Sequence, residues 1–192
     1  NRVMEEVKKQ IKELSEKLNQ YNHQYYQENI SEISDYDFDM LLKELQSLEE
    51  KYPDLKLPHS PTQRVGGTIT KSFETVTHKF PMLSLDNSYN EDELKEFDKR
   101  IIKAIGNDYE YICELKFDGV AISLTYENGL LIQAATRGDG KQGDNITNNA
   151  KTIRTIPLKI NNTDLPALFE VRGEVFMPNS AFEKLNKENS FY

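Results

Sequence analysis

The sequence predicts an α+β fold, with an N-terminal helical hairpin followed by a mostly antiparallel core. Three observations predict it. Two apolar stripes at helical spacing fill the first fifty or so residues. Period-two segments bounded by turn signals follow a proline-rich linker. The helical patterns among those segments are short.

Taken in order, Val3, Val7, Ile11, Leu14, Leu18, Tyr21 and Tyr25 recur at steps of three and four, one face of a first helix. Tyr25 and Tyr26 are neighbours and point about 100° apart on a helix. Both cannot lie in one narrow stripe, so one of them faces a groove. Ser34 is placed to cap a second helix, with Asp37 where a capping box usually has glutamate. Asp35, Asp37 and Asp39 suit the positive end of that helix dipole. Phe38, Leu41, Leu45, Leu48 and Tyr52 form its stripe, and Pro53 stops it. Pro53, Pro58, Pro61, Gly66 and Gly67 mark a linker. The domain boundary is placed there, giving residues 1–66 and 67–192.

The second part is mixed. Phe80 to Asn87 is a turn-rich connection. Asn90 with Glu93 resembles a capping box ahead of Leu94, Phe97, Ile101 and Ile105, a short amphipathic helix. Tyr109 to Leu115 reads as a strand. Val120–Tyr126 and Leu130–Arg137 flank Asn128-Gly129, the strongest short-range hairpin signal. Leu168 to Phe176 puts Glu170, Arg172 and Glu174 on one face of a strand that looks central. Such a face is costly unless it lines a cleft or is solvated. Ser180 with Glu183 then caps a final helix.

Composition bounds the function. The 192 residues carry a net charge of −8, with 29% charged and 37% hydrophobic residues. That fits a soluble protein with a real core and argues against a self-sufficient nucleic-acid binder, which needs basic surface. No apolar run approaches membrane-spanning length, and the N-terminus lacks the apolar stretch of a signal peptide. The single cysteine, Cys113, offers neither an internal disulfide nor a thiolate metal cluster. His23, His59 and His78 are not at metal-ligand spacing and are read as structural. A reducing cytoplasm is the default compartment.

The chemistry centres on Cys113-Glu114-Leu115-Lys116-Phe117-Asp118-Gly119. In extended chain Glu114, Lys116 and Asp118 share one face, and Gly119 supplies backbone freedom just after them. A lysine attacks only when neutral, and flanking carboxylates oppose that. A bound cation, or a binding event that rearranges these charges, would have to help. Taken alone, the pattern favours a surface salt bridge beside a turn over catalysis. Thr136 to Gly143 holds three glycines with Arg137 at its edge. It reads either as a loop whose backbone approaches a ligand, with an arginine clamp for an anion, or as a flexible surface loop. It is not a Walker A loop.

Six motifs in order resemble those of the bacterial NAD-dependent DNA ligases. They are Asp35-Tyr36-Asp37-Phe38-Asp39, Ser60-Pro61-Thr62-Gln63-Arg64-Val65-Gly66, Pro81-Met82-Leu83-Ser84-Leu85-Asp86-Asn87, the Lys116 segment, Thr136-Arg137-Gly138-Asp139-Gly140, and Glu170-Val171-Arg172-Gly173-Glu174-Val175. The resemblance implies a nucleotidyltransferase core of the ATP-grasp-like ligase type. Lys116 would attack the α-phosphorus of NAD, release nicotinamide mononucleotide (NMN) and become lysyl-AMP, for transfer to the 5′-phosphate of a DNA nick. Asp118 and Arg137 would lie near the ribose and the reacting groups, Glu114 near adenine, and Glu174 near the ribose or metal. Ser84 and Leu85 would border the nucleotide. Tyr25, Tyr26, Asp35, Tyr36, Asp37, Phe38 and Asp39 fall in the segments that would hold the NMN half, where aromatic faces stack on a cationic ring. Mg²⁺ fits the phosphate chemistry. Zinc, and most contacts to nicked duplex DNA, would belong to parts of the enzyme beyond Tyr192. No membrane partner is implied, and a monomer is expected.

Two departures stand out. Phe38 occupies a position where the family commonly has tyrosine, removing a hydroxyl. The resemblance stops at Tyr192, short of two further lysine motifs, so the chain reads as a truncated ligase. Three alternatives follow. One is an ATP-dependent ligase or capping-type enzyme. Another is a fragment that binds NAD or NMN without catalysis. The third is a hydrolase built on Glu170 and Glu174.

Overall fold

A computed structural model describes residues 2–28, 30–64, 72–162 and 164–189, without the side chains of Tyr26, Gln27 and Asn189. Five helices and five strands lie within them: α1 (Arg2–Gln27), α2 (Asp35–Lys51), β1 (Thr75–Thr77), α3 (Glu91–Ile105), β2 (Val120–Glu127), β3 (Leu130–Thr136), β4 (Gln142–Asp144), α4 (Thr147–Thr152), β5 (Leu168–Val175) and α5 (Asn179–Asn189). The α+β expectation holds, with antiparallel pairing throughout the described strands.

The hairpin forms where its stripes predict. Ile11, Leu14, Leu18 and Leu45 make its buried core, and Val7, Phe38, Leu41, Leu42 and Leu48 pack around them. Val3, the first member of the α1 stripe, stays 59% exposed. Ser34 caps α2 by accepting from the Asp37 backbone N–H. Its hydroxyl in turn donates to the Asp37 carboxylate at 2.6 Å. The shorter aspartate returns to the hydroxyl, where a glutamate would reach the backbone. A 3-10 turn, Pro61–Arg64, ends the described part of this unit. The expected division between residues 66 and 67 falls outside the described residues.

The core is a three-stranded sheet in the order β3-β2-β5. Asn128 (φ 50°) and Gly129 (φ 77°) make the tight turn of the β2–β3 hairpin. Ile122, Leu124, Tyr126, Leu131 and Ala134 pack on one side against Ala150 of α4 and Ile156 and Leu158 beyond it. The Tyr126 ring stacks on Phe169, and its hydroxyl donates to the Pro157 carbonyl at 2.8 Å. β1 and β4 form a separate two-stranded ladder.

Three expectations need correction. Tyr109 to Leu115 forms no strand, because a strand exists only with a ladder partner and none is present among the described residues. β5 lies at the edge of the described sheet, beside β2 only. Solvent and ion pairing thereby relieve its charged face. α5 begins at Asn179, so Ser180 is inside the helix and does not cap it. The amphipathic helix α3 forms, capped by Asn90 as expected. Its apolar face is not buried, however: Leu94 is 58% and Ile105 66% exposed.

Candidate active site

The predicted residues gather in two places. The first is a cavity of about 340 Å³ against the hairpin, lined by Tyr21, Asn22, Tyr25, Ser31, Glu32, Ile33, Asp35, Phe38, Asp39, Leu42 and Arg154. Helix spacing puts Asp35, Phe38, Asp39 and Leu42 on one face of α2. Tyr21 and Tyr25 come together from α1 by the same rule. Aromatic surface and three carboxylates, of Glu32, Asp35 and Asp39, therefore share a pocket with one guanidinium from the core. Tyr36 is 72% exposed and Asp37 is bonded to the capping Ser34, and neither lines this cavity. Tyr26 is left outside the described side chains. Arg154 was missed from sequence because nothing in Thr152-Ile153-Arg154-Thr155-Ile156 marks it. Its place comes only from the turn after α4 meeting the hairpin.

The second place is the start of β2. Ala121 pairs with Glu174 on β5, and its carbonyl accepts from the Arg137 backbone N–H on the opposite side at 3.1 Å. Arg137, Ala121 and Glu174 thus form a row across three chain segments, the outer two roughly 10 Å apart at ordinary strand spacing. Lys116 and Asp118 lie just upstream of β2. The Phe117 ring stacks on Phe176, centroids 5.0 Å apart, which holds this segment against the end of β5. Gly119 is required for space. It adopts no left-handed φ, but a Cβ there would stand 2.2 Å from the Val175 carbonyl oxygen.

Further contacts shape this face. The Arg137 guanidinium donates to Ser84 Oγ at 3.1 Å. Arg172 pairs with Glu170 at 2.7 Å and donates to the carbonyls of Phe80 and Pro81, anchoring the connection that leads to Ser84 and Leu85. Leu85 itself is 80% exposed. Tyr109 and Tyr111 both donate to the Asp98 carboxylate of α3. Those bonds, from Tyr109 first, hold the Asp98 carboxyl below its usual range. They tether the segment that leads to Glu114 and Lys116. Glu114, Lys116, Asp118, Arg137 and Glu174 are all exposed to solvent.

The glycine loop is closed by its own backbone. Asp139 accepts from the N–H groups of Lys141 and Gln142, and the Gly140 carbonyl accepts from Met82 N–H. A Cβ at Gly138 would lie 2.0 Å from the Gln142 carbonyl oxygen. Its glycines therefore let the chain pass close to itself, and it is not a loose surface loop. None of the predicted core residues lines the hairpin cavity, whose core contribution is Arg154.

Two family models match the chain. The N-terminal NAD+-binding domain of DNA ligase-like proteins matches residues 4–66, and the NAD-dependent DNA ligase adenylation domain matches residues 70–191. A DNA ligase of Cytophaga hutchinsonii is 56% identical over 178 residues, which is 93% of this chain and 27% of the relative. DNA ligases of Bacteroides fragilis and of a Thermoanaerobacter species are 53% and 54% identical over 95% and 94% of the chain, again 27% of each relative. The chain thus spans about a quarter of the length of the curated relatives it matches. With both matches in register with the hairpin pocket and the Lys116 segment, the chain belongs to the NAD-dependent DNA ligase family.

Proposed function

We propose that the chain carries out the adenylation step of a DNA ligase that uses NAD. The neutral Lys116 amine forms a bond to the α-phosphorus of NAD, and the bond from that phosphorus to the bridging oxygen breaks. That oxygen leaves with NMN, the lysine sheds its proton, and lysyl-AMP remains. The observation that carries this reading is the hairpin cavity. Its aromatic rings suit a nicotinamide face, Asp35 and Asp39 suit its positive charge, and Arg154 suits its phosphate. NMN is both a binding determinant and the leaving group, so a pocket shaped for it favours NAD over ATP.

In this reading the row of Arg137 and Glu174 frames the reacting nucleotide. The guanidinium stabilises charge on the phosphate, and the Glu174 carboxylate accepts from ribose hydroxyls. Asp118 and Glu114 orient the AMP half. Ser84 steadies Arg137, and Leu85 offers apolar surface beside the base. Tyr26 would add a second ring to the nicotinamide pocket, while Tyr36 and Asp37 support the start of α2. Mg²⁺ binds through phosphates and one or two carboxylates. No group of three or more His, Cys, Asp or Glu able to hold a metal ion occurs among the described residues. Asp118 or Glu174 would be its protein ligand, and the ion would supply charge neutralisation at the phosphates. AMP would pass to a 5′-phosphate at a DNA nick in replication and repair. The intact enzyme would act as a cytoplasmic monomer that grips DNA largely through parts beyond this chain.

A second reading, binding of the nicotinamide half without transfer, gains from one observation. The segment carrying Lys116 has no strand partner among the described residues. The hydrolase alternative loses Glu170, which Arg172 already engages. Intact mass after incubation with Mg²⁺ and either NAD or ATP tests the proposal. Gain of one adenylyl group with NAD alone supports it. Gain with ATP and not NAD refutes the donor, and NMN binding without any gain establishes the second reading for this chain.

A further inference from the structure

Arg64 belongs to the Ser60–Gly66 motif, for which the proposed chemistry gives no role. It closes the 3-10 turn Pro61–Arg64 and reaches across to the core. Its Nη1 donates to the Ile153 carbonyl at 2.9 Å, and its Nη2 donates to the Ile156 carbonyl at 2.9 Å. A longer contact of 3.5 Å runs to the Lys151 carbonyl. The Ile153 carbonyl also accepts from the Ile156 N–H at 3.0 Å, which closes a tight turn with Arg154 and Thr155 at its corners. Ile153 and Ile156 pack into the core below. Next to Arg64, Gln63 accepts from the Lys151 ammonium at 2.8 Å. One guanidinium therefore holds both carbonyls that bound the turn, and the side chain at the first corner of that turn lines the hairpin cavity.

We propose that Arg64 is a positioning residue for recognition of the nicotinamide nucleotide's phosphate. By gripping the Ile153 and Ile156 carbonyls it fixes the turn that presents Arg154 to the cavity. The inference rests on reading that cavity as the NMN site. A long arginine side chain on an unfixed turn loses much of its phosphate contact to the cost of ordering. A turn held at both ends by a rigid fork carries that cost before the ligand arrives. Lysine cannot substitute, because a single ammonium lacks the spaced, coplanar donors that span two carbonyls.

Titration calorimetry with NMN and with nicotinamide riboside, which lacks the phosphate, separates positioning from general structural support. Arg64→Lys and Arg64→Ala should each weaken NMN about tenfold, the scale of a charge-assisted contact. Both should leave the riboside affinity within about twofold. Arg154→Ala should give the same pattern, and Arg64→Ala combined with Arg154→Ala should be no weaker than Arg154→Ala alone. Arg64→Lys is the deciding variant, because it keeps the charge and most of the volume while Arg64→Ala could unfold the contact altogether. Equal losses for NMN and the riboside in Arg64→Lys, or additive losses in the double variant, would overturn the inference. Absence of NMN binding by the unaltered protein would instead overturn the reading of the cavity.

Discussion

Replacing Asp39 by asparagine keeps the shape of the hairpin cavity and removes one negative charge from its wall. If the cavity holds a nicotinamide ring, the loss should depend on the charge of that ring. At about 5 Å, a unit charge pair is worth about 3 kcal/mol at an effective dielectric near 20, and about 0.8 kcal/mol in bulk water. Asp39 is exposed, so the figure belongs near the lower end, about 1 kcal/mol after screening. That is roughly a fivefold loss of NMN affinity. Reduced NMN has a neutral ring and the same phosphate, and its affinity should change by less than about twofold on the same scale. Any effect of Asp39→Asn on the start of α2 falls equally on both ligands and cancels in their ratio. Calorimetric titration of the two forms measures that ratio directly. An unchanged NMN affinity, or equal losses for the oxidised and reduced forms, would refute the placement of the ring beside this carboxylate.

Other outcomes follow from the same structure. Phe38→Tyr adds a hydroxyl at the cavity wall and should tighten dinucleotide binding by about 1 kcal/mol if it finds a polar partner; isothermal titration with NAD checks this. Leu45→Ala empties a fully buried position in a hairpin core of four side chains, and should cost about 2–5 kcal/mol. Helical circular dichroism should show it as an earlier loss of the hairpin. His59 is held below the ordinary histidine value of 6.5, by burial first and then by Lys159, with Glu16 opposing. Its folded pKa is depressed, so its full contribution to stability is present above about pH 6.5 and falls as pH drops toward the lower folded value. His59→Gln should flatten that fall in urea titrations across the acidic range.

Local chemistry was legible where it decides structure locally. Asn128-Gly129 specifies a turn with both residues at positive φ, and Ser34 and Asn90 cap the helices that follow them. The apolar stripes located the hairpin core because helical period is a property of the segment itself. Sequence pattern failed where the answer lay in a distant partner. Tyr109 to Leu115 has every local feature of a strand, yet alternation cannot supply a ladder neighbour. The charged face of β5 called for either a cleft or solvent, and half of its logic is Arg172 holding the carbonyls of Phe80 and Pro81, about ninety residues away. Gly119 suggested freedom of rotation, whereas the Val175 carbonyl demands its missing side chain. Arg154 and Arg64 carry no local signal of a joint role, because that role exists only where the turn after α4 meets the hairpin.

The central claim is that Lys116 becomes the adenylated residue. Fragment mass spectrometry of the full-length enzyme after incubation with NAD and Mg²⁺ tests it most directly. The account predicts AMP on the peptide containing Lys116, on that side chain alone, with none in Lys116→Ala. AMP on another lysine such as Lys141, or undiminished AMP in Lys116→Ala, would contradict it.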